Sequence, residues 1–203
     1  MSPQMPKRPY RMTKRAELQE NTRLRITESA VALHGTLGPS RTSMSAVAEH
    51  AGVRRSTLYR HFPDEAELFV ACTEHWGQAN PQPGLEQWVA VRDPEARLHR
   101  ALAELYAYYA RTESMLANVL RDESTMPEVA RMLRYYRDYL AQARETLLAG
   151  RPERGHARRR VRAAIGHALA FSTWQSLTRE EGLDDSDAVS LTCALVAAAR
   201  ARN

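Results

Sequence analysis

Cysteine is scarce in this 203-residue chain: there are two, Cys72 and Cys193, far apart and in no CxxC pair. That spacing signals neither a disulfide framework nor a zinc site, and both are expected to be buried thiols. No run of about 18 apolar residues exists, so no membrane partner is expected. The N-terminus is charged and marked by prolines where a signal peptide needs an apolar core, and the expected location is cytoplasmic. Strand-like alternation between turns is absent, and so are internal repeats. The catalytic patterns are missing too. There is no HExxH, no glycine loop that would cradle a phosphate, no Ser-His-Asp arrangement and no carboxylate cluster, so the chain reads as no enzyme and calls for no cofactor or metal. Lysine is nearly missing, at two of 29 basic residues, and that bias carries no function.

What is present is charge at one end. Residues 1–62 hold 11 basic and four acidic residues, leaving 18 and 20 for the remainder, so the excess of +5 comes from the N-terminal third. A basic module joined to a near-neutral one is the footprint of nucleic-acid binding, since neutralised phosphates drive affinity.

The periodicity is helical throughout. Residues 1–16, with three prolines and no apolar period, are expected to form a flexible basic arm. A helix from about Glu17 carries Leu24, Ala30, Val31 and Leu33 until Gly35 and Gly38-Pro39 end it. Two short helices flank Gly52. After Pro63, Asp64 and Glu67 form a capping box that opens a helix through Leu68, Val70 and Trp76. Asn80, Pro81, Pro83 and Gly84 mark a loop, and Asp93-Pro94 starts a helix with Leu98, Leu102, Leu105 and Tyr109 on one face. Thr125 and Glu128 predict another capping box, leading through Val129, Leu133, Leu140 and Leu147 to Gly150. Helices over roughly Glu153–Glu180 and Ser186–Arg202, parted by Gly182, complete an all-α reading of about nine helices. The expected domains are the arm at 1–16, a DNA-binding domain at 17–63 and a helical domain at 64–203.

The stretch from Ser43 to Phe62 fits a helix-turn-helix part by part. Ser43 caps the first helix, Val47 and Ala48 face inward, and Gly52 supplies a left-handed turn. Val53, Leu58 and Phe62 then lock the second helix against the first. The N-terminal residues of such a second helix, here Arg54, Arg55, Ser56 and Thr57, meet base edges in the major groove.

These residues carry a resemblance. Ala51-Gly52-Val53, Thr57-Leu58-Tyr59, His61-Phe62 and Leu68 resemble the tetracycline-repressor (TetR) family, extending back through Ala30, Gly35 and Thr42 and covering the first third of the chain. The resemblance implies a double-stranded DNA operator as partner, with Arg55, Ser56 and Thr57 at bases. Tyr59, His61, Ser43 and Ser45 would touch phosphates or neighbouring base edges, beside Arg54 and Arg60. Arg54 stands where the family favours a serine cap, and Glu65 where it usually has lysine. The resemblance also implies that the remaining helices bind a small-molecule effector and form a homodimer through the last two.

Tyr106, Tyr109, Met115, Met132, Tyr135, Tyr136, Tyr139, Phe171 and Trp174 are candidates to line an effector pocket, with His167 on the stripe of Phe171 as a polar handle or a core histidine. Ala163–Ala170 and the alanines from Ala194 to Ala199 give the last two helices small-residue faces suited to close pairing across a two-fold axis. The arginine run from Arg158 to Arg162 reads as a solvated helix face. The chain is thus expected to be a repressor released from a palindromic operator by an effector. A helix-turn-helix activator or ligand-independent regulator is the alternative, and an enzyme a distant third.

Overall fold

The structure, a computed structural model, describes residues 9–200. Ten α-helices run in order, with no strand among the described residues. They are α1 Pro9–Thr36, α2 Met44–His50, α3 Arg55–His61, α4 Glu65–Ala79, α5 Leu85–Val89, α6 Pro94–Asp122, α7 Pro127–Leu148, α8 Gly155–Ala168, α9 Phe171–Gln175 and α10 Asp185–Ala198. None is long and apolar enough to cross a membrane.

The chain divides into two units, Met1–Asn80 with Ala117–Val129, and Pro81–Leu116 with Ala130–Asn203. The first therefore takes in α4 and the end of α6, beyond the expected boundary at residue 63. Its core gathers Ile26 and Ala30 of α1, Met44, Val47 and Ala48 of α2, Leu58 of α3, Phe62 beyond it, and Leu68 and Cys72 of α4. In α1 Ile26, Thr27, Ser29, Ala30 and His34 are buried, whereas Leu24 is exposed. Of the expected stripe Ala30 is in the core and Val31 and Leu33 pack against it, so only Leu24 falls outside, and the buried face also takes in polar Thr27, Ser29 and His34 that a hydrophobic count passes over. Likewise α4 buries Leu68, Phe69 and Cys72 and exposes Val70.

Helix α1 starts at Pro9, so residues 9–16 are helical where a flexible arm was expected; residues 1–8 lie outside the described residues. Proline is tolerated at the first helical position, where its missing N–H would have had no partner. The Arg, Met, Lys and Ala that follow favour helix more than the charge count alone suggests.

The last turn of α6 fastens the α1–α2 connection in the first unit. Asn118 Nδ2 donates to His34 O and Gly35 O at 3.1 and 2.8 Å, and Arg121 Nη2 donates to Leu37 O at 2.9 Å. Ser40 N donates to Asp122 Oδ2 at 2.9 Å. Gly38 has φ +98°, and a Cβ there would land on Arg121 Nη2 and within 2.6 Å of Asp122 Oδ2, so only glycine passes beneath this clasp. Burial pushes the Asp122 carboxyl up, but hydrogen bonds from Arg121 and Ser40 outweigh it and hold the group below its ordinary value.

The second unit packs α5, most of α6 and α7, and α8–α10. Three helix starts behave as their sequences imply or better. Asp93 Oδ2 accepts from Ala96 N, Asp64 Oδ1 from Glu67 N, and Asp184 Oδ1 from Asp187 N. The Thr125 hydroxyl donates back to Asp122 O, and Pro127 is the first residue of α7. Helix α5 was not expected; it buries Trp88 completely, with the indole N–H on Glu104 Oε2 at 2.7 Å. The long helix expected over Glu153–Glu180 is broken at Leu169–Ala170, and after α9 the backbone winds as a π-turn over Ser176–Glu180.

Candidate DNA-binding surface and sensing core

Helix α2 is held at both ends by its own residues. Ser43 Oγ accepts from Ala46 N at 3.2 Å. At the other end Gly52, φ +63°, donates to Glu49 O at 3.0 Å, and Val53 N donates to Ala48 O at 2.9 Å. These two bonds make the Schellman turn, which uses up the last carbonyls of α2 and aims the chain into α3. Val53, next after the turn, packs against the core that includes Ala48. The expected helix-turn-helix is therefore present with its parts in the anticipated roles.

Helix α3 is amphipathic over seven residues. Leu58 and the following Phe62 are fully buried, while Arg54, Arg55, Ser56, Tyr59 and Arg60 are exposed. Arg54 takes the N-cap position with extended backbone, and its side chain, which has no acceptor, makes no cap hydrogen bond. Ser43 and Ser45, in the first turn of α2, are also exposed. Capping does not exhaust Ser43, since its hydroxyl accepts from Ala46 and keeps its own O–H to donate. Helix α3 carries no acidic residue, and none of Arg54, Arg55 and Arg60 forms an ion pair, an arrangement that suits a polyanion rather than self-association.

Two of the candidates sit deeper. Thr57 is half-buried, and so is His61, whose Nε2 is closed off from solvent without a partner. Desolvation, then the charges of Arg60 and Arg23, hold the His61 imidazole below its ordinary value. His61 is thus neutral at pH 7 and does not offer Nε2 to the surface in this conformation.

Arg23 was missed in the sequence. From α1 its Nη1 donates to His61 O at 2.7 Å, and its guanidinium lies 4.1 Å from the centre of the Phe62 ring. A cation at the C-terminal carbonyls satisfies an orphan acceptor and the helix dipole together, which fixes the orientation of α3. A basic residue 31 positions before the motif's Arg54 gives no local signal of such a contact.

The sensing candidates of the second unit fall into a packed aromatic group. Tyr109 meets Phe171 edge-on with ring centres 5.4 Å apart, and Phe171 lies 5.5 Å from Trp174. The hydroxyls serve the break after α8. Tyr109 donates to Leu169 O at 2.6 Å and shares a 2.9 Å hydrogen bond with the Tyr136 hydroxyl, and Tyr106 donates to Ala168 O at 3.0 Å. The break leaves these carbonyls without helical partners, and buried acceptors must be satisfied. Burial pushes the Tyr106 and Tyr136 phenols up to about 12, and Tyr109 is displaced upward further. Trp174 is fully buried and donates to Asp185 Oδ1 at 2.9 Å. Met115 and Met132 are half-buried.

His167 is not a core histidine: it is exposed, off the buried Val161, Ile165 and Ala168 face of α8, and its ring lies near the Thr173 hydroxyl. Tyr135 is 79% exposed and sits on the outer face of α7, and Tyr139 donates to Pro83 O.

Residues 26–72 match the family described as bacterial regulatory proteins, tetR family. Comparison with curated proteins found no match. Among solved structures, HlyIIR, a hemolysin II transcriptional regulator, superposes with a TM-score of 0.63 at 18% identity, covering 87% of this chain and 97% of that one. A TetR-like transcriptional regulator from Rhodococcus sp. RHA1 gives 0.62 at 18% identity over 86% and 93%. A tetR-family transcriptional regulator from Streptomyces coelicolor gives 0.58 at 18% identity over 89% and 79%. These likenesses show the fold, and the matched segment spans the core and the exposed surface of the helix-turn-helix. The chain thus carries a segment, residues 26–72, that matches the tetR-family model, set in an all-helical fold similar to that of TetR-like regulators.

Proposed function

We propose that the protein is a homodimeric repressor that binds a near-palindromic operator through α3 and leaves it when a small molecule binds the second unit. The observation that carries the DNA contact is the exposed row Arg54, Arg55, Ser56, Tyr59 and Arg60 on a short helix whose other face is fully buried. Arg55 has the donors to read guanine O6 and N7 together, and Tyr59 and Arg60 position the helix on phosphates. Ser43 and Ser45 add hydroxyl contacts at the start of α2.

Pairing is assigned to α8 and α10. Leu191 and Leu195 are exposed at 42% and 54%, with Ala194 and Ala198 beside them on α10, and Ala163 is exposed on α8. A second copy covering these faces supplies the two-fold axis that a palindrome mirrors. The effector site is assigned to the group of Tyr106, Tyr109, Met115, Met132, Tyr136, Phe171 and Trp174. Rings that satisfy the broken α8–α9 junction can be displaced or rearranged by an aromatic or apolar guest, and α6, which bears Tyr106 and Tyr109, ends in the clasp on the α1–α2 connection. Release requires only that the effector bind one of two states better than the other.

The deciding experiment is selection from a random duplex pool at a stated salt concentration, with Arg55→Ala alongside. The expected result is a near-palindrome for the parent protein. Arg55→Ala should lose preference at symmetric positions, a loss of about 1–3 kcal/mol of discrimination. A folded dimer that enriches nothing at low salt would refute the reading.

A further inference from the structure

The turn between α7 and α8 borders an open concavity of about 380 Å³. Its walls are the backbone of residues 148–150, Pro152 and the three arginines Arg151, Arg154 and Arg158, and no carboxylate lines it. The volume falls in the range of small-molecule sites.

The arginines are committed to different degrees. The Arg151 side chain is fully buried, with Nε on Leu147 O, Nη2 on Pro94 O and Nη1 on Glu95 Oε1 at 2.9, 3.2 and 2.9 Å. Arg154 uses Nη1 alone, on the carbonyls of Arg151, Pro152 and Glu153, which leaves Nε and Nη2 to the cavity. The Arg158 side chain makes no hydrogen bond or ion pair among the described residues.

Behind this wall lies a further cation. Arg97, 6% exposed, donates to the carbonyls of Val91, Arg92, Thr146 and Ala149 and meets no carboxylate. The nearby acids are shared: Glu95 and Glu153 both pair with Arg200. Positive charge therefore exceeds negative around a partly desolvated concavity, where Coulomb attraction for an anion is stronger than at an open surface.

We propose that this cavity binds the anionic group of a small molecule, a carboxylate or a phosphate, held by Arg154 and Arg158 with Arg151 as its fixed floor. Two guanidinium forks with free donors match the planar or tetrahedral oxygens of such a group. The site lies in the second unit and stands independently of DNA binding.

The test is calorimetric titration of the full chain, without DNA, by inorganic phosphate and separately by citrate, with chloride at matched ionic strength as the control. Saturable binding is expected for at least one of the two, and which one names the preferred anion. Arg158→Gln, which removes no bond present in the structure, should weaken it at least tenfold with an unchanged unfolding temperature in chloride. Arg55→Gln, on the DNA-binding surface, should leave it unaltered. Chloride competing equally well, unchanged binding by Arg158→Gln, or loss in Arg55→Gln instead would each overturn the proposal.

Discussion

The two units handle their polar side chains in opposite ways. The first turns Arg54, Arg55, Ser56, Tyr59 and Arg60 outward from a core of aliphatic residues and Phe62. The second draws the hydroxyls of Tyr106, Tyr109 and Tyr136 inward to serve one another and the carbonyls of a helix break. A surface that must meet a rigid external partner can leave its donors unpaired, because water satisfies them until the partner arrives. A core that rearranges around a guest must satisfy each group in the empty state as well. Substitutions in the first unit's outer face should therefore alter binding with little cost in stability, and substitutions in the second unit's inner group should do the reverse.

The largest effect is expected from Trp174→Ala. The indole is fully buried against Phe171 and Tyr109 and is hydrogen-bonded to Asp185, so its removal leaves a cavity and an unpartnered carboxylate oxygen. Chemical denaturation should show a loss of about 3–5 kcal/mol. A loss below about 1 kcal/mol would mean that the group is loosely packed and the contrast with the first unit fails.

Next comes a pH effect inside the first unit. Burial depresses the His34 imidazole from 6.5 to about 4, and the nearby Asp122 opposes that shift without reversing it. The unfolded chain then takes up the proton first. Stability is complete above pH 6.5 and falls as the pH drops from there toward 4, by on the order of 2–3 kcal/mol. His34→Asn should flatten the denaturation midpoint across that window. An equally steep decline in the variant would assign the effect to other groups.

Much of the first unit was legible because its features are local. Ser43, Gly52, Val53 and Phe62 each take a role defined within a few residues, and an N-cap or a left-handed glycine means the same thing in any helix-turn-helix. The second unit was legible in its helices and less so in its contacts. Tyr106, Tyr109, Phe171 and Trp174 were recognisable as an apolar set. Their hydrogen bonds depend on the break at Leu169–Ala170, for which no glycine or proline gives notice. His167, four residues before Phe171, lies off the buried face of α8 and is exposed. Helix α5 was hidden by the Pro- and Gly-marked stretch before it, and the start of α1 by a charge pattern that resembles a tail. Neither the α6 clasp nor the Arg97 contacts with Thr146 and Ala149 have a short-range signature, since they join residues 49–84 positions apart.

Arg23 supplies the smallest and sharpest test, since it belongs to the core side of α1 yet serves the outward helix. Arg23→Met keeps much of the stem that covers Phe62 but removes the donor to His61 O and the cation over the ring. The expected cost is about 1–2 kcal/mol of stability, from one charge-assisted hydrogen bond in a half-buried setting. On the proposed function, operator affinity should fall by a similar factor for matched and mismatched sequences, because α3 would be less firmly held while its exposed side chains remain. Arg23→Lys should recover the charge and only part of the effect, as an ammonium cannot reproduce the planar stacking on Phe62. If Arg23→Met instead lost preference at particular base pairs without losing stability, Arg23 would be reading DNA directly, and the division between a supporting core and an outward recognition face would have to be redrawn at α1.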